Sequence, residues 1–510
     1  MGYGQQYFRQ TVFTLFTTLL GGVLFYLLRI VLYRELTDAG QQDAYGLFYA
    51  VFSFAMVLQP LLSIGFDPGM VPYITRAREQ DDWAGIKTLV FGALVPQVLL
   101  AGTAIVFAWI FAQSLAQYCI GDPDAAVLIR LVALHAACLV LYKSGLALLL
   151  GMQHIAAKNL SELLRVVACL VVAVTLLKLG YGAAAAAWAY VAGAIAGILV
   201  QLLAAGFQMP KVWRAPFTWQ PQRIREVFHS GKHLTIAMGG VTIFSHMDTV
   251  MLTLLQRDLT AVTAYQLALP TVMILYALLI AVATNFMPMV TTLWFRDQHE
   301  LLADGVQRIY EAMIALVVPA AVLMACFSDV LMGTMFGRDV LSAPAAFNIL
   351  AVGSIAYFTC YLNLQILAGL GETTAASKSI AWALALNLVL NVVLIVPFGI
   401  VGAACATALS HLVATALSLR EIRRRCLIKI GLLRVSSPMM LALGLAAGCM
   451  QLRQTMFFEE NPITVSLVAA SFLYVVAMAV LELSGLTRLR ALVEVVLGHS
   501  SRASNESNHP

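Results

Sequence analysis

Arg29, Arg130, Lys143, Arg165 and Asp248 sit inside stretches that are otherwise largely apolar. A charge in such a place is costly, which makes each a functional candidate. Lys143 lies about two turns from the nearer end of its stretch, roughly 10 Å at about 1.5 Å per residue, near the limit of what a lysine stem spans. Arg29 is about one turn from an end, where a snorkelling arginine and one facing an internal passage read alike. Arg165 is as deep as Lys143, but Glu162 precedes it by three residues on the same helical face and could neutralise it. Arg130, close to an end, reads as interfacial or as a fourth member of a cationic set. Asp248 would protonate, bind a cation or find a hydrogen-bond partner. With His246 two residues earlier it is the candidate proton or sodium site. His135 and His246 read equally as satisfied polar packing, and Asp67, before Pro68, as a helix terminator.

Catalytic patterns of soluble enzymes are absent. The chain has no Gly-x4-Gly-Lys-Ser/Thr phosphate loop, no His-Glu-x-x-His and no Gly-x-Ser-x-Gly. The expectation is therefore no catalytic residue, no cofactor and no ATP hydrolysis. Eight cysteines show neither CxxC nor paired spacing, so neither a disulfide framework nor a metal site is signalled.

The elements that must position these charges follow from composition. Hydrophobic residues make up 61% and charged residues 11% of the 510. Too few charges remain to cover a water-facing surface, so lipid must be the solvent. Lipid requires every backbone polar group to be satisfied internally, which leaves helices or a closed barrel. Long continuous apolar stretches, with no ten-residue alternation, choose helices. Fourteen spans are expected: 11–33, 44–66, 86–112, 125–150, 159–178, 182–206, 233–255, 262–289, 309–332, 343–368, 379–397, 401–419, 436–452 and 463–485. The first is too long for a signal-peptide core and reads as retained. Pro60, Pro96, Pro270 and Pro319 fall within spans and should bend them.

With both termini placed in the cytoplasm, and Lys87 and Lys178 at span ends counted with the adjoining segments, 22 of the 31 Lys and Arg fall inside, five outside and four within spans. This asymmetry follows the positive-inside rule and accounts for the net charge of +5 without nucleic acid. An internal repeat is also legible. Tyr45 matches Tyr265, and Leu150-Gly151 matches Leu370-Gly371, at an offset of 220; Tyr181-Gly182 matches Phe398-Gly399 at 217. Six helices per repeat give both halves the same orientation, with a cavity between two lobes. The expected organisation is a six-helix lobe over 1–206, a cytoplasmic interfacial linker over 207–232 and a second lobe over 233–420. Two additional helices over 421–486 and a polar cytoplasmic tail over 487–510 complete it. The linker mixes Trp213, Phe217 and Trp219 with Lys211, Arg214, Arg223 and Arg225, a pattern suited to an anionic membrane surface.

On this plan the chain resembles the multidrug/oligosaccharidyl-lipid/polysaccharide exporter superfamily, and within it the Wzx-type polysaccharide transporters. Local patterns carry the resemblance: Ser63-Ile-Gly65-Phe-Asp-Pro-Gly closing span 2, Asp248-Thr-Val-Met-Leu in span 7, and Gly399-Ile-Val-Gly402-Ala-Ala-Cys-Ala406 opening span 12. The resemblance implies a monomeric, multi-pass protein of the inner (plasma) membrane that turns a lipid-linked oligosaccharide between leaflets. It implies a cationic cavity as well, where Arg29, Lys143, Arg165 and Arg130 would supply the charge and membrane lipids and a coupling proton or sodium ion would be the other partners. Competing readings are a peptidoglycan-precursor flippase, a multidrug antiporter and, from another class, a membrane-embedded glycosyltransferase or polymerase. The topology has a direct check. Reporters fused after Arg214 or at the C-terminus should be active only in the cytoplasmic form, and reporters fused after Arg257 only in the exported form.

Overall fold

The computed structural model describes residues 3–63, 66–337, 343–426, 432–455 and 462–483. Among these every regular element is helical and none is a strand. In chain order they are α1 (Tyr3–Asp38), α2 (Gln42–Ser63), α3 (Phe66–Glu79), α4 (Trp83–Leu115, continued by a wide turn over Ala116–Ile120), α5 (Ala125–Gly151), α6 (Ile155–Lys178), α7 (Ala183–Gln208) and α8 (Pro210–Arg214). Then follow α9 (Pro221–Gln256), α10 (Leu259–Phe295), α11 (His299–Cys326), α12 (Ser328–Phe336), α13 (Ala343–Gly369), α14 (Thr373–Arg425), α15 (Leu432–Arg453) and α16 (Pro462–Leu483). Ten of the described helices are long and apolar enough to cross a membrane.

Surface and interior are reversed relative to a water-soluble bundle. Ile110, Phe107, Val171, Leu202, Val396 and Leu443 are exposed, whereas Arg29, Gln97, Asn159, Asp248 and Asn391 are buried. Such an apolar exterior is stable only in hydrocarbon, so the protein is an all-α polytopic membrane protein. Small residues let the helices close up. On α7, Ala185, Ala186, Ala187 and Ala189 are fully buried, and a Cβ on Gly193 would come within 2.7 Å of the Arg165 carbonyl oxygen on α6. Where the sequence suggested loops, α3 and the first turns of α9 are helical. Pro221 opens α9 at a position where its missing N–H costs nothing. The tail over 487–510 and Gly65 lie outside the described residues.

The chain forms two compact units. One comprises residues 12–266 and 380–403; the other comprises 1–11, 267–379 and 404–510. In the first, Met70, Ile74, Ile86, Leu149, Met209 and Val227 build an apolar core at the end that carries Arg76, Arg78, Lys87, Lys211 and Arg223, the basic end. In the second, Leu323 of α11 and Phe327, between α11 and α12, pack with Cys449 of α15, and with Val465 and Leu473 of α16 around them.

The internal repeat reappears in the backbone. Residues with positive φ pair along the chain: Gly40 with Arg257, Asp81 with Asp297, Gly121 with Gly337, Gln153 with Gly371, and Gly182 with Gly399. The offsets run from 216 to 218, which corrects the 220 register read from Tyr45 and Tyr265 and keeps the 217 register of Gly182 and Gly399. The glycines of that last pair share one conformation (φ 54°, ψ −139° and φ 58°, ψ −132°). Gly399 bends α14 into two arms there, separating the stretches read as spans 11 and 12. Side-chain contacts repeat as well. Thr75 donates to the Gly151 carbonyl at 3.2 Å, and Thr291 to that of Gly369 at 3.1 Å. Apolar sequences align promiscuously, but left-handed residues are rare and do not recur in register by accident.

Because that conformation strains any residue with a Cβ, Gly399→Ala should cost about 1–3 kcal/mol. Gly206, on a helix with open space around it, should tolerate alanine or gain slightly. Melting temperatures of the purified variants in one detergent check the contrast.

Candidate functional site

Arg29 is 8% exposed and has no ion pair among the described residues. Its guanidinium Nη1 donates to the backbone oxygen of Gln266 at 3.3 Å and to that residue's Oε1 at 3.2 Å. The Tyr49 ring lies 4.5 Å from its central carbon and the Phe25 ring 5.8 Å away. Neutral dipoles and π-faces therefore carry the stabilisation that a carboxylate would ordinarily provide. Tyr190 of α7 closes the group, its hydroxyl 3.4 Å from that of Tyr49. At the offset of 217, carried along α1 and α9, the residue opposite Arg29 in the second repeat is His246.

Asp248 stands close by in the same unit and is 1% exposed. One carboxylate oxygen accepts the Tyr265 hydroxyl; the other accepts Asn391 Nδ2 at 2.9 Å and Asn387 Nδ2 at 3.3 Å. The next residue, Thr249, accepts Gln266 Nε2 at 2.6 Å. Two consecutive residues of α9 are thus bonded to two consecutive residues of α10, and Gln266 connects this cluster to Arg29. Asn391 Oδ1 is buried without a hydrogen-bond donor. An orphan acceptor beside a buried carboxylate brings hard oxygens together, the donor type that suits a cation. His246 takes no part: its Nδ1 is 3.3 Å from Ser53 Oγ and its ring packs on Phe52. The structure therefore does not bring Asp248 and His246 together, since residues two apart on a helix face apart.

Towards the basic end, Lys143 of α5 borders a cavity of about 340 Å³ that Gln59, Ser63, Asp67, Lys158 and Thr242 also line. Its ammonium donates to Gln59 Oε1 at 2.6 Å, leaving Gln59 Nε2 buried and unbonded. Asp67, in the first turn of α3, accepts Gln97 Nε2 at 2.9 Å and Ser144 Oγ at 2.7 Å. That network fixes α3, α4 and α5 together and so sets where Lys143 points. Lys143 is close enough to feel the charges of both Asp67 and Arg165.

Arg165 is not neutralised by Glu162, contrary to one reading of the sequence. Glu162 pairs with Lys158 at 2.8 Å, the i, i+4 partner on its own helix. Arg165 instead lies 5.3 Å from the Tyr142 ring, with Nε buried and unbonded. The close α6–α7 approach holds it there: a Cβ at Gly197 would meet the Tyr142 ring, and Ser161 donates to the Gly197 carbonyl at 3.0 Å. Arg130 is apart from this set, 5.9 Å from the Trp109 ring, itself 55% exposed on α4.

Arg29, Arg165 and Lys143 thus mark an internal polar trail, with His135 between: its Nδ1 is 3.0 Å from the Tyr190 carbonyl and it feels the charge of Arg165. Such an arrangement suits an anion carrying several oxygens. Gln59, Gln266, Asn387 and Asn391 escaped the sequence reading. Asn387 and Asn391 stand one turn apart in an apolar stretch, a pattern that could have marked them; Gln59 and Gln266 carry no such sign.

Comparison with known proteins agrees with this architecture. The family described as "Polysaccharide biosynthesis protein" matches residues 7–294. An uncharacterized membrane protein of Methanocaldococcus jannaschii is 25% identical over 426 residues, 81% of this chain and 83% of that protein. A probable low-salt glycan biosynthesis flippase of Haloferax volcanii, Agl15, is 31% identical over 193 residues, 38% of this chain and 41% of that one. Among solved structures, the lipid II flippase MurJ in an inward closed conformation superposes with a TM-score of 0.70 at 11% identity, covering 92% of this chain and 98% of that one. An inward-facing MATE multidrug resistance transporter of the MOP superfamily gives 0.63 at 15% identity, covering 79% and 94%. At these identities the structures speak for the fold, which this chain shares with transporters of the MOP superfamily, and the family match speaks for kinship: the chain belongs to the polysaccharide biosynthesis protein family.

Proposed function

We propose that this protein is a flippase that carries a polyprenyl-pyrophosphate-linked oligosaccharide from the cytoplasmic to the outer leaflet, for a cell-surface polysaccharide of the O-antigen kind. The observation that carries the reading is a set of cations within the apolar spans, Arg29 buried and Arg165 and Lys143 half-buried, held by neutral dipoles and aromatic faces rather than by salt bridges. Taking an unpaired charge out of water costs several kcal/mol. A static bundle would have replaced these residues or paired them; a pyrophosphate supplies the missing negative charge when it is bound. The Lys143 cavity at the basic end, with the unbonded Gln59 amide, is the entry position for that headgroup. Its exit lies towards Arg29, and Arg130 serves at the interface.

In this reading fourteen spans form two six-helix lobes and two added helices. Both termini are cytoplasmic, and a monomer sits in the plasma membrane. Lobe movement exposes the cation set to each side in turn. Asp248 with Asn387, Asn391 and Tyr265 binds the coupling cation, and the Gln266 bridge to Arg29 transmits its occupancy to the substrate path. The Haloferax flippase supports a lipid-linked glycan as the cargo class, and the MurJ likeness supports a flippase-type frame.

Arg29→Ala, Lys143→Ala and Arg165→Ala should each lower flipping at least tenfold at unchanged membrane level. Arg130→Ala should stay within about threefold of the parent. Full activity in the first three would remove the cationic path. Asp248→Asn should abolish the dependence of flipping on the sodium or proton gradient, and whichever gradient drives the parent protein names the ion. Mass spectrometry of lipid extracts from cells lacking the protein tests the function itself. An accumulated polyprenyl-pyrophosphate oligosaccharide supports the proposal and identifies the sugar. A peptidoglycan-type precursor in its place, or unchanged lipids with new sensitivity to cationic drugs, would overturn it.

A further inference from the structure

Cys326 and Cys449 are far apart in sequence but adjacent in the second unit. Cys326 is the last residue of α11, and Cys449 lies one turn before the end of α15. Cys326 packs against the apolar cluster that contains Cys449, and the two thiols are close enough to interact. Cys449 is fully buried and Cys326 half-buried, within the apolar group of Leu323, Phe327, Leu452 and Val465. A second contact fixes the pair. Arg453 Nη1 donates to the Cys326 backbone oxygen at 2.6 Å, and its Nη2 pairs with Asp329 of α12. The helix ends cannot slide past one another without breaking that clamp, so the thiols are held together rather than meeting by chance.

The geometry points to a disulfide between Cys326 and Cys449 that ties the C-terminal end of α15 to the C-terminal end of α11. On the topology proposed above, on which this rests, that end faces outside, where thiols encounter disulfide donors. The exposure difference sets the order of events. The half-buried Cys326, as thiolate, attacks the disulfide of a thiol–disulfide oxidoreductase, forming a mixed disulfide and releasing one donor thiol. The buried Cys449, as thiolate, then attacks Cys326 Sγ and releases the second donor thiol. The two cysteines lose two protons and two electrons together, and the donor disulfide takes up both electrons to become a dithiol. The bond staples α15, one of the two helices outside the repeat, to α11 within the second unit, a link that the repeat itself cannot supply.

The test uses the full-length protein in native membranes. Membranes are acid-quenched and alkylated with a maleimide before and after reduction, and the peptides are read by mass spectrometry. The expected result is a Cys326–Cys449 linked peptide, with both residues labelled only after reduction. Cys326→Ser should remove the linked peptide, and Cys119→Ser should leave it. Recovery of both cysteines singly alkylated without reductant would overturn the proposal, and diamide treatment of the purified protein locates the error. Rapid linking by diamide would place the fault in the orientation of that end, which the reporter fusions report independently of cargo. No linking would place it in the thiol contact.

Discussion

The interior of the first unit is organised by the cost of holding charge away from water. Arg29 cannot lose its proton, so its surroundings must supply compensation in another form. Gln266 offers two oxygens, and Tyr49 and Phe25 offer ring faces. None of these neutralises it, and the guanidinium keeps its full field. Arg165 is treated in the same way by Tyr142, while the acid that could have silenced it is engaged by Lys158. An i, i+4 pair is geometrically better than an i, i+3 pair with a long arginine directed inward, and the local competition leaves Arg165 available. The unbonded Nε of Arg165 and amide of Gln59 belong to the same pattern, in which donors outnumber acceptors.

The repeat gives this asymmetry its meaning. The turns recur at offsets of 216–218, so the two halves began from one backbone plan. The chemistry on that plan has diverged. Opposite Arg29 stands a histidine packed on Phe52 and bonded to a serine. Opposite Arg165 stands Trp382, exposed on the outside of α14. Among the described residues, the basic side chains Arg29, Lys143 and Arg165 belong to the first repeat, and Asp248, bonded to Tyr265, Asn387 and Asn391, belongs to the second. Neighbouring residues of α9 and α10 then join acid and base through Tyr265 and Gln266, the link by which, on the function proposed above, the state of one is felt at the other.

Coupling of that kind needs an element with two arrangements rather than a wire. The pieces that could reorganise are few. Asn387 and Asn391 turn their amides to Asp248 in the arrangement seen, and a cation there would call for their oxygens instead. An amide that must rotate to exchange a carboxylate for a cation is a small, bistable device. Gln266 is its neighbour on the same network.

Composition and spacing alone determined that the chain lives in lipid, that it is helical, where most helices begin and end, and which charges are anomalous. The physical reason is that hydrocarbon permits few backbone solutions, so apolar length translates directly into helix position. α15 and α16, for example, occupy Leu432–Arg453 and Pro462–Leu483, against expected spans of 436–452 and 463–485. Which partner each charge takes was decided only by the tertiary structure. Glu162 could reach Lys158 or Arg165 by sequence spacing, and packing of α6 on α7 chose between them. Asn387 and Asn391 are distant in the chain from Asp248, and Cys449 from Cys326; no local pattern encodes a meeting that depends on how helices from separate parts of the chain cross. Periodicity fixes faces and ends, whereas the identity of the facing neighbour is a property of the assembled bundle.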